Sequence, residues 1–183
     1  TTNYLTATSI TNWRFRNNIV HNCATGGLTI ERGALSKIEI FNNTFDGISN
    51  SPWGGYGIDT EMFTGTLSGL NIRNNLIMNA KSGPIHINAK FTNTVIDHNW
   101  FFGNGNADTV KNLGVGTVQT NNIKSATPGI VLSGVKPNPY YRPTNESSNV
   151  VGAGVNVGLS FTGAAPSIGA YDIVPPPRNL SVN

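Results

Sequence analysis

The residues on which chemistry could rest are a few carboxylates, an imidazole and two amines, recurring at matching places in short segments. GLTIER (27–32), YGIDTE (56–61), GPIHIN (83–88) and DTVKN (108–112) each alternate apolar with polar residues. That period-two pattern marks a strand with one buried face. With Leu28/Ile30, Ile58/Thr60 and Ile85/Ile87 turned inward, the outer face carries Thr29/Glu31, Asp59/Glu61 and His86/Asn88. Lys111 continues the row and Lys90 follows closely. Asp59 and Glu61 are two residues apart on one strand, which sets their Cα atoms about 6.5–7 Å apart. Flexible side chains could bring the carboxyls to the roughly 5–9.5 Å used in two-acid glycoside hydrolysis. His86 is the third residue of this candidate catalytic set. Base-promoted cleavage beside a uronate carboxylate is the other chemistry open to the group, with His86, Lys90 or Lys111 as base. If coils are in register, Glu31 lies over Glu61, a like-charge conflict that a bound cation would relieve. Glu31, Asp59 and Glu61 offer the hard oxygens that calcium prefers. The plain alternative is that these acids are solvated side chains on an open sheet.

Around this row lie residues suited to holding a ligand. Trp53 and Tyr56 belong to SPWGGYG (51–57), an inserted loop leading into the strand of Asp59; aromatic faces can stack on sugar rings. A second outward row runs Arg14/Arg16, Glu39/Phe41, Asn71/Arg73 and Asp97. Arg73 and Asp97 read as a surface ion pair, and Arg16 with Arg73 as a possible clamp for an acidic sugar. Cys23 is the single cysteine and reads as a small buried hydrophobe. No HExxH, CxxC, phosphate-loop or dinucleotide motif occurs, so no cofactor beyond calcium is suggested.

These segments are positioned by a repeat. WRFRNNIVHN (13–22), KIEIFNNTFD (37–46), LNIRNNLIMN (70–79), VIDHNWFFGN (95–104) and VQTNNIKS (118–125) align on a two-residue corner. Its second residue is Asn18, Asn43, Asn75, Asn99 and Asn122, and in the fourth corner His98 stands where the first Asn would be. Stacked coils place like residues one strand spacing apart, so the corner asparagines can bond to one another in a ladder. The expectation is a right-handed parallel β-helix of about five to six coils over residues 1–174. KPNPYYRPTNESSN (136–149) reads as a loop and VVGAGVNVGLSFTG (150–163) as a last coil or cap. Residues 175–183, beginning PPP, read as a linker to a following module.

Composition agrees with many short strands and tight turns. The 183 residues include 26 Asn and 21 Gly, but only 11% are charged, against about 25% in an average globular chain. A net charge of +3 without any Lys/Arg run makes nucleic acid a poor partner. No run of 18 apolar residues occurs, so no membrane-inserted helix is expected.

The corner repeat resembles the right-handed β-helix proteins of the pectate-lyase-like superfamily. APSIGAYDI (165–173) is similar to the DIGAYE-type ending of exported bacterial members, with Ser167 for the usual Asp and Asp172 for the usual Glu. The resemblance implies export to the cell surface or beyond. It implies a polysaccharide as partner, met by a lyase, a glycoside hydrolase or an epimerase. It equally allows non-catalytic adhesive or fibre-forming β-helices that contact other chains end to end or laterally.

Overall fold

A computed structural model describes residues 9–49, 54–60, 64–132 and 141–171. The chain winds through five coils. The first holds β1 (Ser9–Thr11), β2 (Arg14–Arg16), β3 (Ile19–His21) and β4 (Leu28–Thr29). The second holds β5 (Arg32–Phe41), β6 (Thr44–Asp46) and β7 (Tyr56–Asp59), and the third β8 (Thr64–Arg73), β9 (Leu76–Met78) and β10 (Gly83–Ile87). The fourth comprises β11 (Phe91–Thr92), β12 (Val95–Asp97), β13 (Trp100–Phe102), a 3-10 turn at Asn106–Asp108, and β14 (Lys111–Asn112). The fifth has β15 (Val118–Thr120) and β16 (Ile123–Lys124).

Every strand pairs in parallel with its counterpart one coil away, which makes the molecule a right-handed parallel β-helix with three sheets. Sheet A is ordered β1-β5-β8-β12-β15, with β2 on β5 and β11 on β8; sheet B is β3-β6-β9-β13-β16; sheet C is β4-β7-β10-β14. Inward side chains line up in columns: Phe15, Ile40, Ile72 and Ile96 in sheet A, and Val20, Phe45, Ile77 and Phe101 in sheet B. From coil 2 to coil 4 these residues are fully buried.

The corner between sheets A and B divides its work between two residues. The first position takes a left-handed backbone: Asn17, Asn42, Asn74, His98 and Asn121 have φ between 50° and 56°. Asn tolerates that region better than most residues and His is also enriched there, which explains why His98 is accepted. His98 is therefore a bend residue, not a ladder member. The second position forms the ladder. Asn18, Asn43, Asn75 and Asn99 each donate Nδ2–H to the Oδ1 of the next asparagine, ending on Asn122, at 2.9–3.0 Å. Each backbone N–H of the same four donates to that same Oδ1 at 3.0 Å. Asn43, Asn75 and Asn99 are fully buried, with every polar group of the amide used.

The fifth coil differs in its core positions. Gln119 follows Ile96 and Lys124 follows Phe101 in the inward columns, and at the end of the fourth coil Asn112 already follows Ile87. Gln119 and Lys124 are exposed. Inward-pointing polar and charged groups are a known way of blunting a sheet edge. The solenoid therefore closes at this end with a polar coil.

Residues 141–171 form no strand and add no coil; they run as a strap outside sheet B. Tyr141, Val150 and Ile168 pack with Leu76, Met78 and Trp100 in a second apolar cluster. Asn74 exchanges hydrogen bonds with Val155 in both directions, Asn42 Nδ2 donates to Ser167 O, and the Ala170 N–H donates to Thr44 Oγ1. The apolar run LIM and the outward Trp100 of WFF are buried for this reason, and Phe102 partly so. The Ser167–Ala170 stretch of the resembling ending is thus a clasp across coils 2 and 3. Residues 175–183 lie outside the described residues. No helix among the described residues is long and apolar enough to cross a membrane.

Candidate functional site

Sheet C brings together two of the three residues of the candidate catalytic set. β7 and β10 pair with Asp59 opposite His86, and His86 lies opposite Lys111 of β14. Thr29 of β4 precedes them, so Thr29, Asp59, His86 and Lys111 form one column across four coils. The in-register stacking expected of Asp59 and His86 is present. Their exposure is not as expected. Both are 2% exposed, and every residue of β7 and β10 is buried. The row lies under cover, not on an open face.

The cover is a glycine turn ahead of β7. A Cβ on Gly54 would lie 2.7 Å from Asp59 Oδ2 and 3.0 Å from Thr25 O, so only a residue without a side chain can sit there undisplaced. Ser82 Oγ donates to Gly54 O, Ser82 N–H to Gly55 O, and Gly27 N–H to Tyr56 O, fastening the turn to both neighbouring coils. The Tyr56 ring then leans over His86, with 5.1 Å between centroids. Tyr56, expected on a binding rim, is itself buried.

Beneath this roof the imidazole is poorly satisfied. His86 Nδ1 lies 3.5 Å from Asp59 Oδ1, and neither ring nitrogen has a hydrogen-bond partner among the described residues. Most buried polar side chains are hydrogen-bonded, so an orphaned pair of ring nitrogens is unusual. The geometry lets Asp59 favour a proton on Nδ1, which leaves Nε2 with a lone pair for a proton to be taken.

The remaining candidates are spread out. Glu61 and Trp53 lie outside the described residues. Glu31 is partly buried two residues past the end of β4, and its stacking on Glu61 is therefore not described. Among the described residues no group of three or more His, Cys, Asp and Glu could hold a metal. Glu61, the third oxygen donor of the expected calcium set, lies outside them. Lys90 is exposed in the turn after β10, its N–H bonded to Asn88 Oδ1. Arg73 lies on sheet A, in register with Asp97 on one side and Phe41 on the other, with Nε 3.9 Å from Asp97 Oδ2. Arg16 pairs with Phe41 on that residue's far side. The proposed clamp residues are thus two strand spacings apart, about 9.6 Å.

Two polar clusters were not anticipated. Asp97 Oδ1 accepts from Thr120 Oγ1, His98 Nδ1 and Asn121 Nδ2, tying coil 4 to coil 5. Burial pushes the Asp97 carboxyl upward, but the Thr120 and His98 hydrogen bonds, the charge of His98 and the Asn121 bond outweigh it and hold it below its ordinary value. Asp46 accepts from Asn79 Nδ2 and from the Tyr141 hydroxyl, each at 2.7 Å, which pins the start of the strap. Nothing in the sequence pairs Asp46 with Tyr141, 95 residues away. A shallow cleft opens far from sheet C, where Asn17 and Asn42 meet strap residues Leu159, Phe161 and Pro166.

No protein-family model matches this chain, and neither a curated protein nor a solved structure does.

Proposed function

We propose that this β-helix is an exported, carbohydrate-active domain of pectate-lyase-like type that acts on, or at least recognises, a polysaccharide along sheet C. The observation that carries the reading is the carboxylate–imidazole pair, in register on neighbouring strands, whose imidazole lacks among the described residues the hydrogen bonds that a purely structural histidine would be given. In this reading His86 removes a substrate proton through Nε2 and Asp59 fixes the ring's tautomer. Lys111, next in the column, would lie beside a bound acidic group. Substrate reaches the pair when Gly54 and Gly55 lift from Asp59, and the Tyr56 ring then offers its face to a sugar. Glu61 and Trp53 remain candidates for acid and rim from their places in the sequence alone.

A positioned acid–base group supplies about 10²–10⁴-fold in rate. His86→Gln and Asp59→Asn are therefore expected to lower turnover by about that factor while the fold is kept, as read from a panel of neutral and uronate polysaccharides. Unsaturated-sugar absorbance distinguishes eliminative cleavage from hydrolysis. Turnover unchanged in both variants refutes the assignment.

The tight sealing of Asp59 and His86 favours a second reading, a non-catalytic β-helix of cell-surface or adhesive type. It predicts glycan or surface binding without turnover, and no effect of either variant on it.

A further inference from the structure

Thr60 occupies a place that its neighbours give to isoleucine. It follows Asp59, one step past the Asp59–His86 pair, and is fully buried in the core. β7 ends at Asp59, and there the coil takes on extra chain: Thr29 pairs with Asp59, but Arg32 already pairs with Thr64. Had the strand continued, the Thr60 carbonyl would accept the Asn88 N–H, as parallel ladders require. The Thr60 hydroxyl takes that part instead. It accepts from Asn88 N–H at 2.8 Å and donates to His86 O at 2.8 Å, while the Thr60 N–H also reaches His86 O at 3.2 Å. One side chain thus continues the ladder past the point where the backbone has turned away.

We infer that Thr60 is a positioning residue for His86, holding the end of β10 and the following Asn88 in register so that the imidazole stays beside Asp59. This rests on the reading of His86 as the working group, and it names a residue that acts on that group only through the backbone. A hydroxyl is needed, which explains a polar residue in an otherwise aliphatic column. Thr94 is the matched comparison. It is equally buried, but its hydroxyl has no partner among the described residues.

The test uses the whole domain and the ring ¹⁵N signals of His86, which report its tautomer without any substrate. Thr60→Val removes the hydroxyl at constant shape and is expected to abolish the single-tautomer signature of His86. Thr60→Ser should restore it, and Thr94→Val should leave it as in the parent. A folded Thr60→Val protein with unchanged His86 signals overturns the inference, and so does an equal change in Thr94→Val. Should Thr60→Val not fold, hydrogen exchange in the parent decides. The Asn88 amide must then be protected to the level of core strand amides, and exchange as fast as an exposed turn overturns the claim. Failure of the glycan assays with intact Thr60 behaviour would count against the proposed function alone.

Discussion

Single side chains bear unequal loads in this molecule, and their bonds tell which matter. Asp97 holds three donors from two coils and is nearly buried. Its carboxyl is held below the ordinary value of 3.8 in the folded state. Between the two values the unfolded chain binds the extra proton, so stability rises with pH there. The contribution is complete above the unfolded value and disappears as pH falls through the lower folded one. Urea midpoints should therefore separate the parent from Asp97→Asn above the unfolded value and converge as pH falls below the folded one. A constant gap across that range would contradict this. Hydrogen bonds to a charged group are worth about 1.5–3 kcal/mol, so Asp97→Ala should cost about 2–3 kcal/mol near neutrality. Asp59 and His86 were legible as neighbours because period-two alternation and a common corner fix register. Their burial was not legible. It depends on Gly54 fitting against a carboxylate, and alternation alone cannot distinguish an open face from one covered by a loop.

At the scale of elements, the ladder and the terminal coil make opposite statements about what may follow a strand. Asn75 sits mid-ladder, accepting from Asn43 twice and donating to Asn99, Ile40 O and Arg73 O. Asn75→Ala leaves several buried groups unpaired and is expected to cost about 3–5 kcal/mol in a denaturant titration. Asn122 closes the ladder and donates to Ile96 O; Asn122→Ala should cost about 1 kcal/mol. Equal costs would mean that the bonds do not act as a stacked series. The terminal coil makes a different prediction. Gln119→Ile with Lys124→Leu would continue two apolar columns to an open edge, and concentration-dependent association is expected in sedimentation velocity. A monomer at every concentration would show that other features protect this end. The corner repeat was plain in the sequence because each element of it recurs five times. The polar filling of coil 5 could also have been read there, since VQTNNIKS aligns Gln119 and Lys124 with Ile96 and Phe101.

At the scale of the whole molecule, the described residues form a coiled core and a strap that seals one of its three sides. The strap adds no strand, yet Ile168 and Val150 are buried by it. Ile168→Ala is expected to cost about 2–4 kcal/mol, as for other buried aliphatic truncations, and to bare Leu76, Met78 and Trp100 to a hydrophobic dye. No dye binding would mean that the strap stays seated without this anchor. The sequence suggested a last coil or a cap over 150–163 because that stretch is apolar and Gly-rich. Only the outward apolar residues of LIM and WFF signalled that sheet B needed a cover, and nothing local said which segment supplied it. The asparagine ladder has one more consequence. Each rung receives from the rung before and gives to the rung after in the same way, so the stack has a polarity but no preferred length. A tandem copy of residues 76–99 placed after Asn99 would present its neighbours with the same donors, acceptors and inward side chains they already meet. The protein would grow by one storey, about 4.8 Å, without either end being altered.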